Sequence, residues 1–244
     1  MRAVILAGGL GTRLRPYTTI IPKPLVPVGD RPILEHILRQ LAGAGVNHVD
    51  MSVSHLGELI QVYFSQSHSV PDGMELHWHW EDEPLGTAGA LRVIPDLDGT
   101  FIVMNGDVLT TLDYTALVER HHASGAALTI ATYAKRVSID LGVIDSSDGY
   151  VTDYREKPKL DYDVSMGIYV YESRALRHLP DEGPCQFPDL VLKLVEVGER
   201  VAVFPSDAEW YDIGTFAEYE RAVRDLEERP ETFGAGSPIV RPAR

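Results

Sequence analysis

Arg2-Ala3-Val4-Ile5-Leu6-Ala7-Gly8-Gly9-Leu10-Gly11-Thr12-Arg13-Leu14-Arg15-Pro16 stands at the head of the chain. Its first part, Ala3 to Leu6, is a short apolar run that predicts a buried strand. The glycines that follow open a long loop that runs to Pro27. Glycine after a strand lets the backbone approach a ligand and turn its N–H groups toward phosphate. Arg13 and Arg15 add fixed positive charge. The pattern is neither G-x-x-x-x-G-K-[ST] nor a clean G-x-G-x-x-G. By itself it reads equally well as a plain strand-to-helix connection.

Outward from this stretch, strands and helices alternate. Ile33, Leu34, Ile37, Leu38 and Leu41 recur at helical spacing until Gly43 and Gly45. Strands are predicted over 48–54, 75–80, 101–104 and 127–132, with helices over 59–64, 86–93 and 114–122 between them. This alternation implies parallel pairing in an α/β sheet. The second half is less regular, with strands over 143–144, 150–154, 164–171 and 200–204. Asp148-Gly149 supplies a hairpin turn. Helices are expected over 187–197 and 216–228, and the Pro- and Gly-rich residues 229–244 read as a loose tail.

The chain has 244 residues, 22 cationic and 36 acidic side chains, and a formal charge of −14. That length holds one large α/β domain or two small ones. The acidic balance argues against nucleic acid or an anionic membrane surface as a partner. One cysteine, Cys185, excludes a disulfide scaffold and a cysteine-rich zinc site. No apolar run approaches the roughly 18–20 residues of a membrane span, and the N-terminus lacks a signal-peptide pattern. A cytoplasmic protein is expected.

Pro22-Lys23-Pro24-Leu25-Val26-Pro27-Val28-Gly29 fixes a lysine between two prolines, which lowers the entropy cost of aiming its charge. Together with Gly8-Gly9-x-Gly-Thr-Arg-Leu-Arg-Pro, it closely resembles the signature of the sugar-phosphate nucleotidyltransferases, the nucleotide-sugar pyrophosphorylases. Further motifs in family order extend the resemblance over residues 1–225, and the short form looks most like the mannose-1-phosphate guanylyltransferases. These enzymes join a nucleoside triphosphate to a sugar 1-phosphate and release pyrophosphate. Such chemistry needs positioning, charge neutralisation and a divalent cation.

The resemblance implies a single Rossmann-like, three-layer α/β domain of the GT-A-like type, with a mixed, mainly parallel sheet. It would span 1–228, with a nucleotide half over about 1–110 and a sugar-phosphate half over 111–228. Leu6, Ala7, Gly8, Gly9, Gly11 and Thr12 would lie against the nucleotide. Arg13 would grip the triphosphate and Lys23 would bridge the reacting phosphates.

Asn105-Gly106-Asp107 follows a buried strand, at the carboxyl edge where α/β sheets place ligands. Magnesium prefers a few carboxylates with phosphate oxygens and water. Asp107 is thus the first expected Mg2+ ligand, and Asp212 of Trp210-Tyr211-Asp212-Ile213-Gly214-Thr215 matches the second. By the same resemblance Asn105, Gly142, Glu156, Lys157, Ser165 and Gly167 would hold the sugar phosphate. Ser165 departs from the usual Asn, and Leu141 replaces an aromatic residue common before Gly142; both bear on sugar identity. Glu81 and Gly86 match the base-reading segment. A carboxylate only accepts hydrogen bonds, and guanine offers N1–H and N2–H₂ side by side. This favours GTP, with mannose 1-phosphate or a related hexose or heptose 1-phosphate. Homo-oligomers are common in the family.

Two other readings stand beside this one. A non-catalytic subunit that senses nucleotide sugars would share the fold. A glycosyltransferase would use Asp161 and Asp163 of Asp161-Tyr162-Asp163, although a surface loop is the simpler account of that tripeptide. His77 and His79 alternate with Trp78 and Trp80, so each pair faces one side of a strand. A zinc site there would need two more ligands.

Overall fold

The computed structural model describes residues 1–9, 11–67 and 69–230; the tail expected over 229–244 lies, beyond residue 230, outside the described residues. The strands are β1 (Arg2–Leu6), β2 (Pro27–Val28), β3 (Arg31–Pro32), β4 (His48–Val53), β5 (Glu75–Trp80), β6 (Thr100–Asn105) and β7 (Val108–Thr110), then β8 (Leu128–Ser138), β9 (Gly142–Ser147), β10 (Tyr150–Glu156), β11 (Lys159–Glu172), β12 (Val201–Ser206) and β13 (Trp210–Asp212). The helices are α1 (Ile33–Gly43), α2 (Gly57–Gln66), α3 (Tyr114–Ser124), α4 (Phe187–Glu196) and α5 (Phe216–Glu228).

Seven strands form one sheet in the order β12-β8-β11-β6-β1-β4-β5. β11 alone runs against the others, being antiparallel to both β6 and β8. The fold is thus a single α/β domain with a mixed, mostly parallel sheet. The apolar strands carry two cores because alternate side chains point to opposite faces. Ala3, Ile5, Ile102 and Met104 pack with Ile37, Ile60 and Leu226 from α1, α2 and α5. Val4, Phe101 and Val103 pack on the other face with Leu190 and Leu194 of α4. Three layers result, with the sheet in the middle.

The expected helix over 86–93 is corrected to a loop followed by a single 3-10 turn, Gly89–Val93. The Ala88 and Gly89 N–H groups donate to the Cys185 carbonyl at 3.0 and 2.9 Å instead of entering a longer helix. The Asp148-Gly149 turn forms as read: both residues have positive φ, 52° and 84°, which the tight connection from β9 to β10 requires.

His36 is buried in α1, and its Nε2 lies 2.9 Å from the Val28 carbonyl. Burial pushes this imidazole below its usual 6.5, against the hydrogen bond that pulls the other way. Burial lowers His121 as well, against its contact with Glu172. Below about pH 6.5 the unfolded chain therefore takes up more protons than the folded one. Their contribution to stability is full above that pH and is lost as pH falls toward the lowered native values. Denaturant titrations at about pH 7.5 and about pH 5 should show this loss, and His36→Gln should shrink the difference. An undiminished difference in that variant would remove His36 from the account.

Candidate active site

The carboxyl ends of β1, β4, β5 and β6 open on a cavity of 290 Å³. Of the residues singled out in the sequence, Leu6, Ala7, Gly8, Gly9, Lys23, Glu81, Gly86, Asn105 and Asp107 line it.

Pro22 precedes a 3-10 turn, Lys23–Leu25, closed by the Leu25 N–H to the Pro22 carbonyl at 2.8 Å. The turn buries Lys23 and aims its ammonium at Asp107 Oδ2 in an ion pair. The other oxygen, Asp107 Oδ1, is buried and accepts no hydrogen bond. A buried carboxylate oxygen without a donor is costly unless something positive meets it.

Asp212 reaches the same place from far along the chain. β13 pairs with β7 so that Asp212 lies opposite Val108. The Ile213 N–H then donates to the Asp107 carbonyl at 3.1 Å. Burial raises the Asp212 carboxyl above its usual range, the Asp107 charge raises it further, and Lys23 and Arg13 pull it back. Arg13 lies on Gly214, where an added Cβ would stand 2.9 Å from Arg13 Nη2. Arg13, Lys23, Asp107 and Asp212 therefore form one electrostatic cluster. Arg13 and Asp212 are not part of the cavity lining, nor are Gly11 and Thr12, which lie at the 3-10 turn that carries Arg13.

Glu81 accepts from Ser52 Oγ at 2.6 Å and from the Leu85 N–H at 3.1 Å, one bond on each carboxylate oxygen. Gly86 has φ 79°, and an added Cβ would sit 2.5 Å from the Cys185 carbonyl oxygen. The chain's own packing thus already requires glycine there, apart from any ligand.

The remaining candidates lie outside the cavity lining. Gly167 abuts Asn105, whose Nδ2 would be 2.7 Å from an added Cβ. Ser165 Oγ donates to the Tyr169 hydroxyl at 3.2 Å and accepts from the Gly167 N–H at 3.3 Å. Gly142 and Glu156 are opposite one another in the exposed β9–β10 hairpin. Lys157 is exposed and holds a left-handed backbone, φ 45°. Asp161 is held in a bidentate pair by Arg136, at 2.6 and 3.0 Å.

Ser54, Pro84, Thr87 and Gln186 line the cavity without having been singled out. Ser54 had a signal, since it follows directly on β4 at the ligand edge. Gln186 had none: it arrives from the start of α4, where its side chain meets Thr87. Tyr154 was also missed. Its hydroxyl stands against the Gly142 α-carbon, within the space a Cβ would take, and donates to Glu156 Oε2 at 3.0 Å.

A glycine-rich loop, a buried lysine and two carboxylates thus meet at the carboxyl edge of a mixed α/β sheet. The nucleotidyl transferase family model matches residues 2–229, and the chain belongs to that family. It is 35% identical over 252 residues to a UTP–glucose-1-phosphate uridylyltransferase of Synechocystis sp., covering 94% of this chain and 64% of that protein. It is 29% identical to a D-glycero-alpha-D-manno-heptose 1-phosphate guanylyltransferase of Aneurinibacillus thermoaerophilus, covering 93% of this chain and 99% of that one. The crystal structure of HddC from Yersinia pseudotuberculosis superposes with a TM-score of 0.71 at 28% identity, over 92% of this chain and 99% of that chain. HddC has also been solved in complex with GMP-PN, again at a TM-score of 0.71. Among the described residues, no helix is long and apolar enough to cross a membrane.

Proposed function

We propose that the protein transfers a nucleotidyl group from a nucleoside triphosphate to a sugar 1-phosphate, releasing pyrophosphate. The observation that carries this reading is the cluster of Lys23 and Asp107, which line the glycine-rich cavity, with Asp212 and Arg13 coupled to them from outside its lining. A phosphate oxygen of the sugar phosphate attacks the α-phosphorus, and the bond from that phosphorus to the bridging oxygen of pyrophosphate breaks. Lys23 neutralises the reacting phosphates, and Arg13 meets the charge gathering on pyrophosphate.

Asp107 and Asp212 suit Mg2+: hard carboxylate oxygens, close together, one of them buried without a donor. When bound, that ion supplies further neutralisation of phosphate charge. The nucleotide lies along the half over 1–110 and the sugar phosphate meets residues of 111–228. A reaction on nucleoside triphosphates and sugar 1-phosphates supports a cytoplasmic location for the protein.

We favour GTP as the nucleotide. Each oxygen of Glu81 keeps a second lone pair after its bonds to Ser52 and Leu85, so the carboxylate is fixed in place and still able to accept from guanine N1–H and N2–H₂. The guanylyltransferase relative and the GMP-PN complex of HddC support this choice. Mannose 1-phosphate or a related hexose or heptose 1-phosphate is the matching acceptor.

The test is pyrophosphate release in Mg2+, with each of the four ribonucleoside triphosphates and dTTP crossed against a panel of sugar 1-phosphates. Turnover with GTP and one such acceptor is expected. Tight nucleotide binding with no turnover for any pair would instead assign a sensing subunit.

Tyr154 makes a sharper point about the sugar. Its hydroxyl gives Glu156 the hydrogen bond that a sugar hydroxyl would give, and it fills the open face of Gly142. Sugar binding must displace it. Tyr154→Phe removes one hydrogen bond worth about 1 kcal/mol and should lower KM for the sugar phosphate about fivefold, leaving KM for the nucleotide unchanged. A raised KM would mean instead that Tyr154 holds Glu156 in its working position. Lys157 supports a site here as well, because a left-handed lysine costs of order 1–3 kcal/mol and persists only where its surroundings impose it.

A further inference from the structure

We propose that His48, Glu75 and His77 form a second metal site, for a divalent ion of the zinc type, at the edge of the sheet away from the cavity. β4 and β5 pair in parallel, with His48 opposite Glu75 and Asp50 opposite His77. Alternation along β5 turns Leu76 and Trp78 into the core and leaves Glu75, His77 and His79 on the other face. One ligand atom from each of His48, Glu75 and His77 lies within 4.8 Å of the other two. Among the described residues, no other group of three His, Cys, Asp or Glu side chains converges this closely. Of the two histidines on that face of β5, only His77 joins the set, with Glu75 two residues before it and His48 from the neighbouring strand; His79 meets Asp50 instead.

What stands behind the histidines matters as much as the ligands. His48 Nε2 is buried, makes no hydrogen bond and faces Asp50 Oδ2 at 3.4 Å. Asp50 is 1% exposed and is held by Arg2 Nε at 2.6 Å and His79 Nε2 at 2.7 Å. A fixed carboxylate behind an imidazole orients the ring and leaves its other nitrogen for a metal. The His48 and His77 rings are stacked, with centroids 4.2 Å apart and planes 12° from parallel. Both nitrogens can reach one ion at about 2.0–2.1 Å once the planes open; His77 is exposed, and its Nε2 already lies 3.6 Å from Glu75 Oε2.

Two imidazoles and one carboxylate form a borderline donor set, suited to Zn2+ and poorly to Mg2+. A tetrahedral ion keeps one position for water. His48 and Glu75 begin their strands, whereas the cavity opens where the strands end, so this ion is separate from the reacting centre. It would tie the outermost strand, β5, to β4.

The experiment is a Zn2+ titration of the full chain against a chromophoric chelator, with Mg2+ in excess. Wild type should withdraw one equivalent of zinc. His77→Ala should weaken binding at least tenfold, Glu75→Gln should weaken it to a smaller extent, and His178→Ala, a histidine elsewhere on the surface, should bind as wild type. X-ray absorption at the zinc edge should show two imidazoles. No zinc withdrawn, or wild-type binding by His77→Ala, overturns the proposal. His77 is exposed, so its loss does not endanger the fold, and unchanged thermal melting without zinc confirms that.

Discussion

Asp107→Asn is expected to lower kcat for pyrophosphate release by on the order of 10³-fold while the chain stays folded. The substitution keeps the shape of the side chain and removes its charge. Lys23 then loses its ion-pair partner, and the buried, donor-free oxygen that suits Mg2+ loses its negative charge. In the proposed function, ground-state binding of the triphosphate rests more on the glycine loop and the cations. KM for the nucleotide should therefore move far less than kcat, which marks an interaction made in the transition state. Steady-state kinetics beside a thermal melt separates this from simple unfolding. Activity within tenfold of wild type would remove Asp107 from the chemistry.

Gly86→Ala should cost about 2–3 kcal/mol of stability and raise KM for the nucleotide about tenfold, a change of about 1.4 kcal/mol in binding. Two causes add. Alanine disfavours φ 79°, and its Cβ would stand 2.5 Å from the Cys185 carbonyl oxygen and 2.9 Å from Gln186 Nε2. Relief requires the loop to move away from Cys185. That movement breaks the bonds from the Ala88 and Gly89 N–H groups to the Cys185 carbonyl, and the bond from the Cys185 N–H to the Leu85 carbonyl. The same loop carries the Leu85 N–H that holds Glu81. The sugar phosphate, bound elsewhere, should show little change in KM. Denaturant unfolding gives the first number and initial rates the second; a wild-type KM in a destabilised variant would separate loop packing from nucleotide binding.

Much of this was legible from local sequence. The run Ala3 to Leu6 is a strand because four apolar residues end in glycines, and α5 keeps its expected bounds because Thr215 caps it and its apolar positions recur at helical spacing. Asp148-Gly149 specified its turn by backbone preference alone. What stayed hidden depends on partners distant in the chain. A helix is expected over 86–93, yet Cys185, nearly a hundred residues on, takes the N–H groups of Ala88 and Gly89. β11 enters the middle of the sheet antiparallel, which periodicity does not reveal. In the site, glycines and charged residues were visible by pattern, whereas Gln186 and Tyr154 act by where the fold delivers them. The 3-10 turn that buries Lys23 was half visible, since its flanking prolines were plain and its aim at Asp107 was not.

The pairing of β7 with β13 has a consequence for how such a chain can be recombined. The short strand carrying Asp212 closes on the segment just after Asp107, about a hundred residues earlier in the chain. The carboxylate pair therefore belongs to neither half. A chimera cut near residue 110, made to exchange one sugar preference for another, would keep β7 from one parent and take β13 from the other. Each graft would have to re-form that two-stranded seam between unfamiliar partners before any acceptor preference could be read. Exchanging the β9–β10 hairpin alone leaves the seam intact, so on the proposed reading the hairpin, not the half, is the unit to exchange when altering the acceptor.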